Sequence, residues 1–351
     1  MSMIGMRCLK PSGRRACQLL GGDMAAFCAS LVEGLAHLES TLDHPGGAGA
    51  GAGSVSMRWC ADAMRLVKRM QRELLAIFRK ADVTVAVVSC GAGAGAGSWF
   101  EHYMQETAAL LDFCNAFKAA VSRLHRYCMV VDFAAQVGRG GGAAVSLVGG
   151  WAPEPGHGQA SPAAVLDTLS DVKAAVTEAE RLGRTLVSGA GAGRGDDAGM
   201  VVVTLVAKIT TSVVSMFVLQ ALTSPSPLAA GDGRPTLGGA VVPELEPWRE
   251  SLSLIHARFP VRATVAEHEQ VAMVVQDLMN AQTDAGGGGH GGESHGDQQE
   301  LVRRHVELLR ARSGELREGI ELFDCVLDEV FDEVIRGRNE MLGILRDKAL
   351  T

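Results

Sequence analysis

The stretch "MVVVTLVAKITTSVVSMFVLQAL" (residues 200–222) decides the fold. It is long enough to cross a bilayer, which takes about 20 apolar residues. Lys208 stands near its middle, at a cost of roughly 2.5–3.5 kcal/mol on insertion scales. Thr204, Lys208, Thr211 and Ser215 follow 4, 3, 4 spacing, so on a helix the polar groups gather in one narrow stripe. A stripe suits the central helix of a soluble bundle whose polar edge reaches water, and also a membrane helix that faces protein. Two readings stand, a transmembrane span at 200–222 and a buried or membrane-peripheral helix. The stripe weighs toward the second.

On either side the chain repeats one pattern, long segments of 3.6-residue period separated by glycine-rich breaks. Met24, Phe27, Cys28, Leu31, Leu35, Leu38 and Leu42 make one buried face, and Trp59, Ala63, Leu66, Val67, Met70, Leu74 and Phe78 make the next. Trp99 to about Ala135 is the longest clean helix. Ser161 and Pro162 open another by the N-cap and first-position rule, and it continues to Leu186. The pattern is helical again from Glu246 to about Thr283. Gln299 to about Lys348 reads as a charged amphipathic helix with Leu309, Leu316, Ile320, Phe323, Leu327, Val330, Phe331, Val334 and Leu345 inward. No alternating strand segment of useful length intervenes. The expected fold is all-α, an elongated bundle of long antiparallel helices with flexible glycine-rich loops. Residues 1–22 read as a flexible basic lead. Residues 23–351 read as one helical domain with loops at 46–54, 91–98, 138–160, 188–199, 223–245 and 285–297.

The motifs that tempt a catalytic reading fail on context. "VTVAVVSCGAGAGAGS" (83–98) runs from β-branched residues into glycines, as a dinucleotide-binding turn would. Gly91 and Gly93 start the fingerprint, but position 96 is alanine and no second parallel strand follows, so the tract reads as a spacer. "GESHG" (292–296) matches a nucleophile elbow in letters only, because Ser294 sits in a glycine and histidine linker. "EHEQV" (267–271) begins like a zincin, but position 272 is alanine, which leaves His268 as a surface residue. His290 and His295 have no rigid element to hold them, and "RGD" (194–196) falls in a loop. No residue set is expected to act as a catalytic, cofactor or metal site.

Charge and cysteine usage narrow the setting. A net charge of -7 gives no general attraction to nucleic acid. The eight cysteines include no C-x-x-C pair, and Cys28, Cys60, Cys114 and Cys128 fall on apolar helical faces as small hydrophobes. An intracellular, reducing location is the expectation, either cytoplasmic or associated with a membrane through 200–222.

The long helix carries "WFEHYMQETAALLDFCNAFKAAVSRL" (99–124) and the last one "GIELFDCVLDEVFDEVIRGRNEMLGIL" (319–345). In the first, Trp99, Tyr103, Leu110, Leu111, Asp112, Cys114 and Asn115 resemble the signature of the plant BYPASS-related family, which includes the ROH-like proteins. In the second, Phe331, Ile335, Arg336, Arg338, Leu342, Ile344 and Leu345 are similar to that family's closing helix. Thr107 stands where the family commonly has serine, and Asp332 and Glu333 are more acidic than its pattern. The resemblance implies a helical protein with no known catalytic site or cofactor, associated with root and shoot development and control of a mobile root-derived signal. ROH-like relatives are connected with the exocyst, and a membrane helix is commonly assigned in the family. Protein partners are therefore expected, exocyst components among the candidates. A membrane-anchored trafficking factor and an enzyme acting on a small signal metabolite are the alternatives. In the residues themselves, Leu111, Cys114, Val121 and Cys128 read as core, with Asp112 and Asn115 available to neighbouring helices or backbone.

Overall fold

The computed structural model describes residues 21–42, 53–80, 99–137, 174–179, 181, 195–223, 245–260, 263–286 and 295–349. These form helices α1 (Gly22–Leu42), α2 (Met57–Lys80), α3 (Trp99–Val137), α4 (Gly195–Thr223), α5 (Glu246–Arg258), α6 (Ala266–Gly286) and α7 (His295–Ala349). A further helical stretch lies at 174–179. Two short strands, β1 (Ser54–Val55) and β2 (Thr264–Val265), complete the described elements. The all-α bundle expected from the periodicity is the fold. The apolar and glycine tract at 83–98, the segment 138–160, the helix start at Ser161 and Pro162, and Ser294 lie outside the described residues.

Contact pairs give the directions of the helices. Lys68–Glu329, Arg72–Glu333 and Arg79–Glu340 all keep the same sequence separation of 261, so α2 and α7 run parallel and in register. α3 runs against both. Gln71 meets Glu106 while Phe78 stacks on Trp99, and Arg338 meets Thr107 while Ser313 meets Asp132. α1 is antiparallel to α2, with Ser30 bonded to Glu73 and the Trp59 indole donating to the Leu38 carbonyl at 3.0 Å. Their approach is close enough that a Cβ at Gly34 would collide with Leu66 and Arg69. α2 and α7 are equally close at Gly319, where a Cβ would lie 2.7 Å from that of Met57. α7 is longer than α2. Its N-terminal half packs on the end of α3 through Arg310, Ser313 and Arg317, and α7 also makes a broad contact with α6.

Helix starts and stops follow local chemistry. Ser56 caps α2, its hydroxyl accepting from the Trp59 amide at 3.1 Å, and the Glu267 carboxylate accepts from the Met57 amide at 3.0 and 3.1 Å. Arg79 and Lys80 end α2 in the turn where cations complement the helix dipole. The parallel β1–β2 pair, Ser54 to Thr264 and Val55 to Val265, brings the starts of α2 and α6 together.

Several boundaries differ from those expected. The single helix expected over Glu246 to Thr283 is two, because Pro260 has no amide hydrogen and forces Phe259 into extended backbone (φ -63°, ψ 131°). α4 begins at Gly195, so 195–199 is helix rather than loop, and Gly195 and Asp196 of the RGD sequence lie in its first turn. Likewise 285–286 and 295–297 are helical, and His295 opens α7 rather than floating in a linker. Glycine lowers helix propensity by only about 1 kcal/mol, and docking of the adjoining apolar turns outweighs it. Ser54, assigned to a loop, pairs in β1, and Thr223 and Leu245 belong to the ends of α4 and α5.

α4 occupies the centre. Gly199–Thr223 is long and apolar enough to span a membrane, and 89% of its most apolar window is buried inside the bundle. Its polar stripe does not form a wet edge. Thr204, Thr211 and Ser215 are fully buried, and only Lys208 is half-exposed. Hydroxyls enter this core because a helical threonine satisfies itself on the carbonyl four residues back. Thr204 donates to Met200 and Thr210 to Val206, each at 2.8 Å.

Candidate functional site

Two features stand out from uniform apolar packing, a buried polar crossing at the middle of the bundle and an apolar stripe on the outside of α7.

The crossing is centred on Glu106, which the 3.6-residue period of α3 turns toward α4 and α2. Glu106 Oε1 accepts from Gln71 Nε2 at 2.5 Å and from Thr211 Oγ1 at 2.7 Å. Next to it Thr107 donates to the Tyr103 carbonyl and accepts from the Arg338 guanidinium, which also bonds the Met104 carbonyl, each at 2.7 Å. Thr210, one residue before Thr211, accepts from the Trp248 indole of α5 at 2.9 Å. Burial pushes the Glu106 carboxyl up to about 7, against the opposing pull of Thr211, Gln71, Lys208 and Arg338. His102, one turn earlier, is driven toward its neutral form by burial and by Lys208. An acid with donors but no ion-pair partner on its second oxygen is suited to holding a proton.

The stripe on α7 consists of Phe331, Ile335 and Leu342, which are 39%, 36% and 48% exposed. Their spacing places them within about 40° of one another around the helix. Phe331 is therefore not an inward residue. Val330 and Val334 take the core positions beside it, and a helix turns adjacent residues about 100° apart. Its neighbour Glu333 is nearly inaccessible and held below the usual carboxylate range. Burial opposes ionisation there, and hydrogen bonds from Arg336 and Arg72 outweigh it.

The signature of the long helix divides in the same way. Trp99, Tyr103, Leu110 and Cys114 are core, Leu111 packs partly against it, and Asp112 and Asn115 face solvent. Val121 and Cys128 are core as expected. Burial raises the thiols, Cys114 up to about 12, so they behave as hydrophobes. Cys325 is exposed. His268 is only partly at the surface. It packs on the Tyr127 ring at 4.7 Å, and burial lowers its pKa.

An open groove of about 470 Å³ lies where α2, α6 and α7 meet, lined by Arg58, Glu267, Gln270, Arg312, Glu315 and Glu318 among others. Its most buried carboxylate, Glu267, is committed to the first turn of α2. Among the described residues no cluster of three or more histidine, cysteine, aspartate or glutamate side chains is placed to hold a metal. Sequence reasoning missed Glu106, because a single acid among apolar neighbours at helical spacing has no signal distinguishing it from a surface position.

No protein-family model matches the chain, and no curated protein or solved structure matches it.

Proposed function

We propose that this chain is a non-enzymatic regulatory or adaptor protein of the BYPASS-related type, working through helix-mediated protein contacts in plant root and shoot development or signalling. The observation that supports the reading is the exposed stripe Phe331, Ile335 and Leu342. These apolar residues belong to the C-terminal motif of the resemblance, yet the chain's own core does not use them. An amphipathic partner helix would bury such a stripe through anchors at matching spacing. Acidic and basic groups on the same helix, Asp328, Asp332, Arg336 and Arg346, would set its register and orientation. Affinity purification of the full chain and of a Phe331→Asp, Ile335→Asp double variant tests the reading. A reproducible partner retained by the wild type and lost by a folded variant supports it. The absence of any such partner sinks it.

The membrane-anchored reading, linked to the exocyst, rests on the length and composition of Gly199–Thr223. It requires α4 to leave a core in which Thr211 and Thr210 are hydrogen-bonded to other helices. Alkaline carbonate extraction of membranes decides it, since a protein fully released from the membrane fraction has no anchor.

A further inference from the structure

Independent of what binds the exposed stripe of α7, the crossing has a property of its own. Glu106 Oε1 accepts two hydrogen bonds, but among the described residues Glu106 Oε2 has none, and neither has Gln71 Oε1. Both oxygens are buried. They are the remaining acceptors of two planar groups already joined by the 2.5 Å bond. A buried acceptor without a donor is costly, and here two lie on facing side chains. One proton removes both deficits. Held on Oε2, it donates to Gln71 Oε1 and completes a two-pronged acid–amide pair. Turning the Gln71 amide over does not remove the need, because its oxygen then meets Glu106 Oε1 with no hydrogen between them.

We infer that Glu106 carries a proton in the resting fold and shares it with Gln71, making the crossing of α2, α3 and α4 a pH-sensitive lock. The groups facing it come from every packed element. α2 supplies Gln71, which is neutral. α3 supplies Tyr103, whose ionisation burial opposes, and His102, held toward neutrality. α4 supplies Thr211 and the half-exposed Lys208, and α7 supplies Arg338, whose guanidinium is occupied by Met104 and Thr107. Glu178, in the helical stretch at 174–179, acts on His102. The two cations favour the carboxylate, but neither bonds Oε2, and burial outweighs them. The sign follows. A carboxyl raised in the folded state contributes its full stabilisation below the unfolded value. That contribution is lost as pH rises from the ordinary carboxylate range to about 7.

The test is unfolding of the full chain and of Glu106→Gln, in parallel, from about pH 5 to about pH 8. The glutamine amide carries N–H where the acid carries O–H, so the variant mimics the locked state and does not titrate. The folded-to-unfolded ratio of the wild type, relative to the variant, is expected to fall by up to about tenfold per pH unit between about pH 5 and about pH 7, then level off. Parallel profiles overturn the inference, as does a wild type that gains on the variant with rising pH. If the variant does not fold, the through-bond-assigned side-chain carboxyl ¹³C resonance of Glu106 in the wild type decides. A midpoint near 7 supports the lock, and one in the ordinary carboxylate range overturns it.

Discussion

Glu106 at the crossing and Glu333 on the α2–α7 ladder are both nearly inaccessible, at 2% and 7% exposed, and burial disfavours the charge of each, yet their carboxyls end up shifted in opposite directions. Glu106 meets an amide and a hydroxyl and is raised, whereas Glu333 meets two guanidinium groups and is lowered. Burial raises both carboxyls, and the outcome turns on whether cationic partners outweigh it. The two sites therefore weaken at opposite ends of the pH scale. The crossing loses stabilisation as pH rises toward 7. The ladder loses it as pH falls below the ordinary carboxylate range.

The largest effect is expected from Glu106→Lys, which places a third cation beside Lys208 and Arg338 with no carboxylate to receive it. A loss of about 3–5 kcal/mol, or failure to fold, should appear in chemical denaturation. Gly319→Ala should cost about 1–3 kcal/mol by pushing α7 from Met57, with the ladder pairs spread in consequence. Thr211→Val removes one donor from Glu106 at a cost of about 1–3 kcal/mol. It should also move the carboxyl titration upward, because that bond favours the ionised form. Arg72→Ala, at a site 59% exposed, should cost about 1 kcal/mol or less, and both added salt and acid should erase the difference from wild type. A crossing insensitive to Thr211→Val, or a ladder as sensitive as the crossing, would break the comparison. Phe331→Asp should cost less than truncating a core residue of α7 such as Phe323, since its side chain is 39% exposed and lies outside the core.

How far the sequence was legible depends on whether a property is local. The buried faces of α1 and α2 were readable because periodicity records which side of a helix avoids water. Phe331 misled because an outer stripe and a core stripe obey the same period. The break at Pro260 was legible in principle, and the continuing apolar spacing beyond it obscured the stop. Glu106 was not legible at all, since its meaning lies in Gln71 and Thr211 on two other helices.

By itself, then, the sequence determined an all-α chain with long amphipathic helices and one segment apolar enough for either a bilayer or a core. Helical period and side-chain polarity are local, and they suffice for that. Only the tertiary structure decided that this segment is wrapped by its neighbours, that α7 runs parallel to α2, and that the polar stripe around Thr211 turns inward to a buried acid. Those outcomes depend on which surfaces meet across hundreds of residues, and no local spacing encodes that.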